Sequence, residues 1–245
     1  MHRFMSNHSL RFSCQQCSLH ELCLPLALSE AESTSLHTLI TEQFIVKRHE
    51  KLFTEGDPFH YFYVVRSGSF KYVKQHPSPQ ANILGFYFAG DFFGFDAIVD
   101  DTYPATAIAL EESSICAIRF DVLLDVTRKV PKLQRYLFNV MSRQTRDNLG
   151  RMLQHQSAKQ RLALFFCKLS KGFQSRGYSA TTFKLSMSRK DIANYLDLAT
   201  ETISRLLTTM QDEGLIYVNK KQVSLKNVKA LENIVNLDSE AVALL

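Results

Sequence analysis

The chain has 245 residues, of which 45% are hydrophobic and 22% charged, with a formal net charge of +5. That length exceeds a typical domain of about 100–200 residues, so two domains are expected, each with enough apolar material for a core. No stretch approaches the ~18 apolar residues of a membrane span, the start lacks a basic region followed by an apolar run, and an odd count of five cysteines argues against a disulfide framework; a cytoplasmic protein with reduced thiols is expected.

In chain order, the first informative stretch is Cys14-Gln-Gln-Cys17-Ser-Leu-His-Glu-Leu-Cys23. Thiolates bind Zn(II) and iron–sulfur clusters far better than oxygen or amide groups do. A structural zinc site presents two close ligand pairs, and no second pair follows here. A redox dithiol needs a thioredoxin-like βαβ unit, which nothing around this segment resembles. Three thiols in one loop with the distant Cys116 suit a cubane, whose four irons each take one thiolate. The bland alternative is a set of non-ligating thiols, against which stands the polar company of Ser13, Gln15, Gln16 and His20. Cys167 lies in the apolar run Leu162–Leu169 and reads as core.

Ser29 with Glu32 three residues on has the form of a capping box, opening a short helix through Leu36, Leu39 and Ile40. From Phe44 to Phe120 come short aromatic or alternating runs, Phe44–Val46, Tyr61–Val65, Phe70–Val73, Ile83–Phe88 and Ile115–Ile118, separated by glycine and proline turns. This spacing predicts a β-roll. After Pro131 a long helix is expected from about Lys132 to His155. Leu133, Leu137, Val140, Met141, Leu149, Met152 and Leu153 recur near the 3.5-residue spacing of a coiled-coil seam. Its polar middle, Ser142–Asn148 with Asp147, predicts a dimer of marginal stability.

Residues 158–170 read as an amphipathic helix, with Gly172 and Gly177 in a following loop. Leu185–Leu207 reads as helix-turn-helix: Ser188 caps the first helix, with Asp191 at its third position, and Ile192, Ala193 and Leu196 face inward. The second helix starts near Thr200 and buries Ile203, Leu206 and Leu207, which turns Glu201, Thr202, Ser204 and Arg205 outward. Those residue types can read base edges. Leu215–Val218 and Gln222–Leu225 then flank Lys220 and Lys221, a two-stranded wing with a basic tip for phosphate. Charge agrees, since residues 158–245 hold 13 Lys or Arg against 8 Asp or Glu, while residues 1–157 hold 16 of each.

A β-roll, a long helix and a winged helix-turn-helix in this order is similar to the CRP/FNR superfamily of bacterial transcription regulators. Cys14-x2-Cys17-x5-Cys23 with Cys116 looks like the ligand set of its oxygen-responsive branch, and Leu84–Ile98 and Glu201–Leu207 resemble it too. The resemblance implies a [4Fe-4S] cluster on those four cysteines that favours a homodimer and binding to a palindromic double-stranded DNA site. Oxygen would convert the cluster to [2Fe-2S] and separate the dimer. It further implies contacts of Glu201, Ser204 and Arg205 with TTGAT-type half-sites, repulsion across the seam from Asp147, and tuning of oxygen access by Ser18 and Leu22. Loops near Gln75–Gln80 and Ala97–Pro104 would touch RNA polymerase. Between Met141 and Arg161 the chain is about two residues shorter than the family pattern, and two residues turn a helix by about 200°.

The expected organisation is therefore α+β: a cysteine-rich segment at 1–28, a cupin-like β-roll sensor at 29–131, a dimerisation helix at 132–156 and a winged helix-turn-helix at 157–245. A cyclic-nucleotide site would need an arginine for the cyclic phosphate, and Gly94–Ala107 has none and carries three aspartates. A cupin-type enzyme would need a His-x-His pair inside the roll; His49, His60 and His76 form none, so catalysis is not expected. A zinc or disulfide sensor using the same thiols stays open.

Overall fold

The structure, a computed structural model, describes residues 40–75, 82–152 and 157–236, and for 40–41, 147–152 and 236 the backbone path alone. Cys14, Cys17 and Cys23, with Ser18, Leu22 and the helix expected from Ser29 as far as Leu39, lie outside the described residues; Ile40, expected on that helix, instead opens a strand paired with Ile118. The chain divides into two units, Met1–Met141 and Ser142–Leu245.

In the first unit, β1 (Ile40–Val46), β2 (Lys51–Phe53), β3 (Tyr61–Ser67), β4 (Ser69–Lys74), β5 (Asn82–Phe88), β6 (Phe92–Phe93), β7 (Thr106–Ala109) and β8 (Ser113–Arg119) form two antiparallel sheets. Their orders are β1-β8-β3-β6 and β2-β7-β4-β5. The five strands expected from apolar runs are present. Three others went unread, because β2 and β6 are two or three residues long and β7 is alanine-rich, leaving no window in which periodicity could register. The β3–β4 turn depends on Gly68, at φ +80, where a Cβ would come within 2.8 Å of the Glu112 carbonyl oxygen.

Aromatic rings fill the space between the sheets. Tyr63 and Phe93 of the first sheet meet Phe53, Phe70 and Tyr87 of the second, with centroid separations of 5.4 Å for Phe53–Tyr63, 5.8 Å for Phe70–Phe93 and 4.7 Å for Tyr87–Phe93. Each such ring removed from water contributes about 1.5–3 kcal/mol, and each ring pair about 0.5–1.5 kcal/mol more. Tyr103 stacks on Phe53 at 3.8 Å and donates its hydroxyl to the Tyr61 carbonyl at 2.7 Å. Burial pushes its phenol up to about 12 and raises those of Tyr63 and Tyr72 as well, so all three stay protonated near neutral pH.

Two helices follow. Helix α1 (Phe120–Lys129) was not expected; Leu123 and Val126 are its buried positions, too few to mark a stripe. Val130 breaks the path and Pro131 opens α2 (Pro131–Met152), where its fixed φ and missing N–H cost nothing. Leu133 is fully buried and Leu137 is 9% exposed, and both belong to the core of the roll unit. These two, expected on a subunit seam, face their own unit. Periodicity shows that a helix has an apolar stripe; it does not show which surface covers it.

The second unit comprises α3 (Ala158–Ser175), β9 (Thr182–Lys184), α4 (Arg189–Tyr195), α5 (Thr200–Asp212), β10 (Ile216–Asn219), β11 (Gln222–Leu225) and α6 (Val228–Asn236). The wing is a three-stranded sheet of order β10-β11-β9 rather than the expected hairpin, since Thr182–Lys184 pairs with Gln222–Ser224. Helix α3 runs through Gly172, which the sequence placed in a loop, and ends before Gly177 at φ +75. Its apolar face, with Leu162, Phe166 and Cys167 all at 1% exposure or less, offsets the cost of an interior glycine. Burial pushes the Cys167 thiol up to about 11, which leaves it an inert core group, as expected.

Candidate nucleic-acid interface and the position of Cys116

Helix α4 starts at Ser188, whose hydroxyl accepts from the Asp191 backbone N–H at 3.0 Å while Asp191 Oδ2 accepts from the Ser188 N–H at 2.9 Å. Ile192, Ala193 and Leu196 turn inward and are buried. The turn passes through Asp197 at φ +52, and α5 begins at Thr200. Helix α5 ends on Gly214 at φ +70: the Gly214 N–H bonds the Gln211 carbonyl at 2.9 Å and the Leu215 N–H bonds that of Met210 at 2.9 Å, a Schellman closure. Ile203, Leu207 and Met210 form its buried stripe; Leu206, expected inside, is half-exposed, and Met210 takes that place.

The opposite face of α5 presents Glu201 and Arg205, both exposed and one turn apart, with Thr200, Thr202 and Ser204 half-exposed beside them. Arg189 of α4 brings Nη1 to 3.5 Å from Ser204 Oγ, so a further cation reaches this face that the sequence reading did not single out. At the wing tip Lys220 stands exposed at φ +55. Lys221 donates its ammonium to the Ser186 carbonyl at 3.1 Å and accepts the Leu185 N–H on its own carbonyl at 2.8 Å, which ties the wing to the segment leading into α4. An exposed row of hydrogen-bonding side chains on the second helix, with a basic tip beside it, is the arrangement that enters a major groove and grips the flanking phosphates.

Cys116 lies on β8, between β1 and β3. Its register partners are Gln43 on β1 and Val64 on β3. Directly paired residues share a face, as do residues two apart on one strand, so Cys116, Ile118, Phe62, Val64 and Phe92 line the same side of the sheet. That side is the outer one. Phe62 contacts Phe120 of α1 at 5.5 Å and Phe92 contacts Tyr136 of α2 at 6.1 Å, whereas Tyr63 and Phe93 point between the sheets. Cys116, 5% exposed, therefore sits on the helix-covered face and not in the barrel interior.

Among the described side chains of α2, Phe138 is the large apolar one left exposed, at 60%, while Val140 and Met141 are half-buried against the core. Sequence reading passed over Phe138, although it stands three residues before Met141. Asp147, Leu149 and Met152 lie on the helix where only its backbone is described. Among the described residues no group of three or more His, Cys, Asp or Glu could hold a metal ion. Within the described part of the roll unit the buried polar side chains are Ser69, Thr106 and Ser113, none of them cationic.

A cyclic nucleotide-binding domain model matches residues 43–129 and a Crp-like helix-turn-helix domain model matches residues 160–234. The chain is similar to the anaerobic regulatory protein of Pasteurella multocida, 38% identical over 89% of this chain and 81% of the relative. It is 40% identical to the transcriptional activator protein anr of Pseudomonas aeruginosa over 86% of this chain and 87% of the relative. Against the fumarate and nitrate reduction regulatory protein of Escherichia coli K12 it is 38% identical, over 90% and 89% respectively. The solved structure of FixK2 from Bradyrhizobium japonicum aligns with a TM-score of 0.71 at 25% identity, covering 78% of this chain and 96% of that one. The chain therefore belongs to the CRP/FNR family of transcription regulators, in the group whose members carry the fumarate and nitrate reduction, anaerobic regulatory and Anr names.

Proposed function

We propose that this regulator senses oxygen through a [4Fe-4S] cluster held by Cys14, Cys17, Cys23 and Cys116, and that cluster-loaded protein binds DNA as a homodimer. The observation that carries the reading is the place of Cys116. A ligand on the outer face, among residues in contact with α1 and α2, can bias the helices; a ligand inside the barrel could not. The donor set fits, because four thiolates are the usual ligands of a cubane and the neighbours Val64 and Ile118 supply an apolar wall. When bound, the cluster supplies an oxygen-labile link between the N-terminal segment and the roll. Ser18 and Leu22, beside the ligands, tune access to it.

The chain's own residues do the rest. Dimers place two α5 helices about one DNA turn apart, ~34 Å, which one subunit cannot do. Glu201, Ser204 and Arg205 read a TTGAT-type half-site, Thr200 and Thr202 flank them, and Lys220 and Lys221 hold phosphate. Asp147 opposes dimerisation across the seam, while Leu149 and Met152 favour it. The segments Gln75–Gln80, of which 76–80 lie outside the described residues, and Ala97–Pro104 contact RNA polymerase; in the second, Val99 is 82% exposed beside Asp100 and Asp101, also exposed. The relatives are transcription regulators, not enzymes. Among the described residues no helix is long and apolar enough to cross a membrane, and the site of action proposed is the cytoplasm.

Anaerobic protein reconstituted with iron and sulfide is expected to absorb near about 400 nm and, on adding air, to lose that band, its dimer fraction and its footprint together. Unchanged gel filtration and footprinting would reject the oxygen switch. Protein that takes up zinc but no sulfide would support a thiol or zinc sensor instead. A cyclic-nucleotide effector is disfavoured by the aromatic rings that occupy the roll interior.

At the interface, Arg205→Ala is expected to cost about 1–3 kcal/mol of specific affinity and to relax one base position. Lys220→Ala is expected to weaken all sequences alike and lower the salt slope by about 1. Fluorescence anisotropy across a salt series separates the two effects.

A further inference from the structure

The first turn of α3 carries two cations, Lys159 and Arg161, and no acid. Positive charge at a helix N-terminus opposes the helix dipole, so these residues need compensation from elsewhere. Both find it at the C-terminal ends of the two helices of the helix-turn-helix. Arg161 Nη1 donates to the Leu196 carbonyl at 2.7 Å and to that of Asp197 at 3.3 Å. Leu196 is the C-cap of α4 and Asp197 is the left-handed residue of the turn. Lys159 Nζ lies 2.6 Å and 2.7 Å from the two carboxylate oxygens of Glu213, the C-cap of α5. Each cation thus stands at the carbonyl-rich pole of one of the two helices.

We propose that Lys159 and Arg161 form a clamp that fixes the recognition helix at both ends, and that they are positioning residues for sequence-specific DNA binding. The bonds of Arg161 immobilise the turn that leads directly into Thr200, and Lys159 holds the other end of α5, so Glu201, Ser204 and Arg205 are presented as one rigid row. Hydrogen bonds to base edges tolerate little misplacement, whereas long lysines on phosphate tolerate more. Loosening the clamp should therefore reduce specific binding and spare non-specific binding. The two arms are unequal. Arg161 makes a part-buried, charge-assisted bond to Leu196 and a longer, exposed one to Asp197, with Nε enclosed and lacking a partner among the described residues, while the Lys159–Glu213 pair is more than a third exposed and screened by solvent.

This inference rests on DNA binding through the helix-turn-helix and not on the cluster. The test uses the full chain with a palindromic duplex of two TTGAT half-sites and a scrambled duplex, and follows hydrogen exchange of residues 200–212. For Arg161→Met the ratio of specific to non-specific affinity is expected to fall about tenfold and α5 amides to exchange faster than those of α3, with partial recovery in Arg161→Lys. Lys159→Met is expected to lower the ratio about twofold, and the swap Lys159→Glu with Glu213→Lys to restore it. An unchanged ratio and unchanged α5 exchange in Arg161→Met overturns the clamp, as does faster exchange spread evenly over the whole unit. If the wild-type chain does not prefer the palindrome, the half-site assignment fails and the exchange comparison still decides the clamp.

Discussion

Cys116→Ser protein, reconstituted anaerobically, is expected to hold almost no iron or sulfide, to lack the visible absorbance of the parent, and to bind the palindrome equally in nitrogen and in air. The expectation follows from a count of ligands. A cubane with three thiolates keeps one iron without its sulfur partner, and a serine hydroxyl, which titrates far above a thiol, does not replace it near neutral pH. The position also carries a structural risk, since Cys116 is 5% exposed and a serine hydroxyl is costlier to take out of water than a thiol. Cys116→Ala removes the sulfur without adding a polar group and serves as the second variant. If both fold, by circular dichroism and thermal unfolding, and both keep full iron content, Cys116 is not a ligand and the proposed sensor loses its link to the roll. Cys167→Ala should leave iron content unchanged, because that thiol is buried in the other unit's core.

The second large effect separates two residues on α2 that a heptad reading would treat alike. Leu133→Ala is expected to lower the stability of the roll unit by about 2–5 kcal/mol, a large part of the 5–15 kcal/mol typical of a domain, because the removed atoms leave a cavity in a fully enclosed site. Phe138→Asp should leave that stability nearly unchanged, since the side chain is 60% exposed. It should instead raise the dimer dissociation constant of cluster-loaded protein by about a hundredfold or more. We propose the exposed Phe138 ring as the anchor of the two-fold contact; the substitution removes it and would set a carboxylate near its symmetry mate. Sedimentation of the anaerobic protein measures the second effect, and denaturant unfolding the first. A dimer that survives Phe138→Asp would place the seam elsewhere on the helix.

Much of the architecture was legible in the chain itself, for reasons tied to local chemistry. Ser188 with Asp191, the alternation of Ile203 and Leu207 with polar residues, and Gly214 act within a few residues of one another, and the helix-turn-helix they mark is the one observed. The glycine-punctuated aromatic runs likewise announced the roll. The thiols of Cys14, Cys17 and Cys23 stand within ten residues of one another in the sequence, and the proposed cluster rests on that local spacing together with the distant Cys116. The sequence alone also separated the basic C-terminal third from the balanced remainder.

Other features were decided only when distant elements met. Leu133 and Phe138 are both apolar residues on one helix, and only the outer face of the β1-β8-β3-β6 sheet determines that the first is enclosed and the second left to solvent. The strand Thr182–Lys184 acquires its identity from its pairing with β11, 42 residues downstream at Thr182–Ser224. The same holds for Cys116, whose face of the sheet is set by register with Gln43 and Val64, and for Lys159 and Arg161, whose charges look misplaced until α4 and α5 bring their carbonyl ends alongside. Propensity, capping and donor chemistry act over one turn or one strand and can be read from neighbours in the chain. Which surface covers a stripe, and which pole receives a charge, depends on contacts between residues far apart in sequence, and those exist only once the chain has folded.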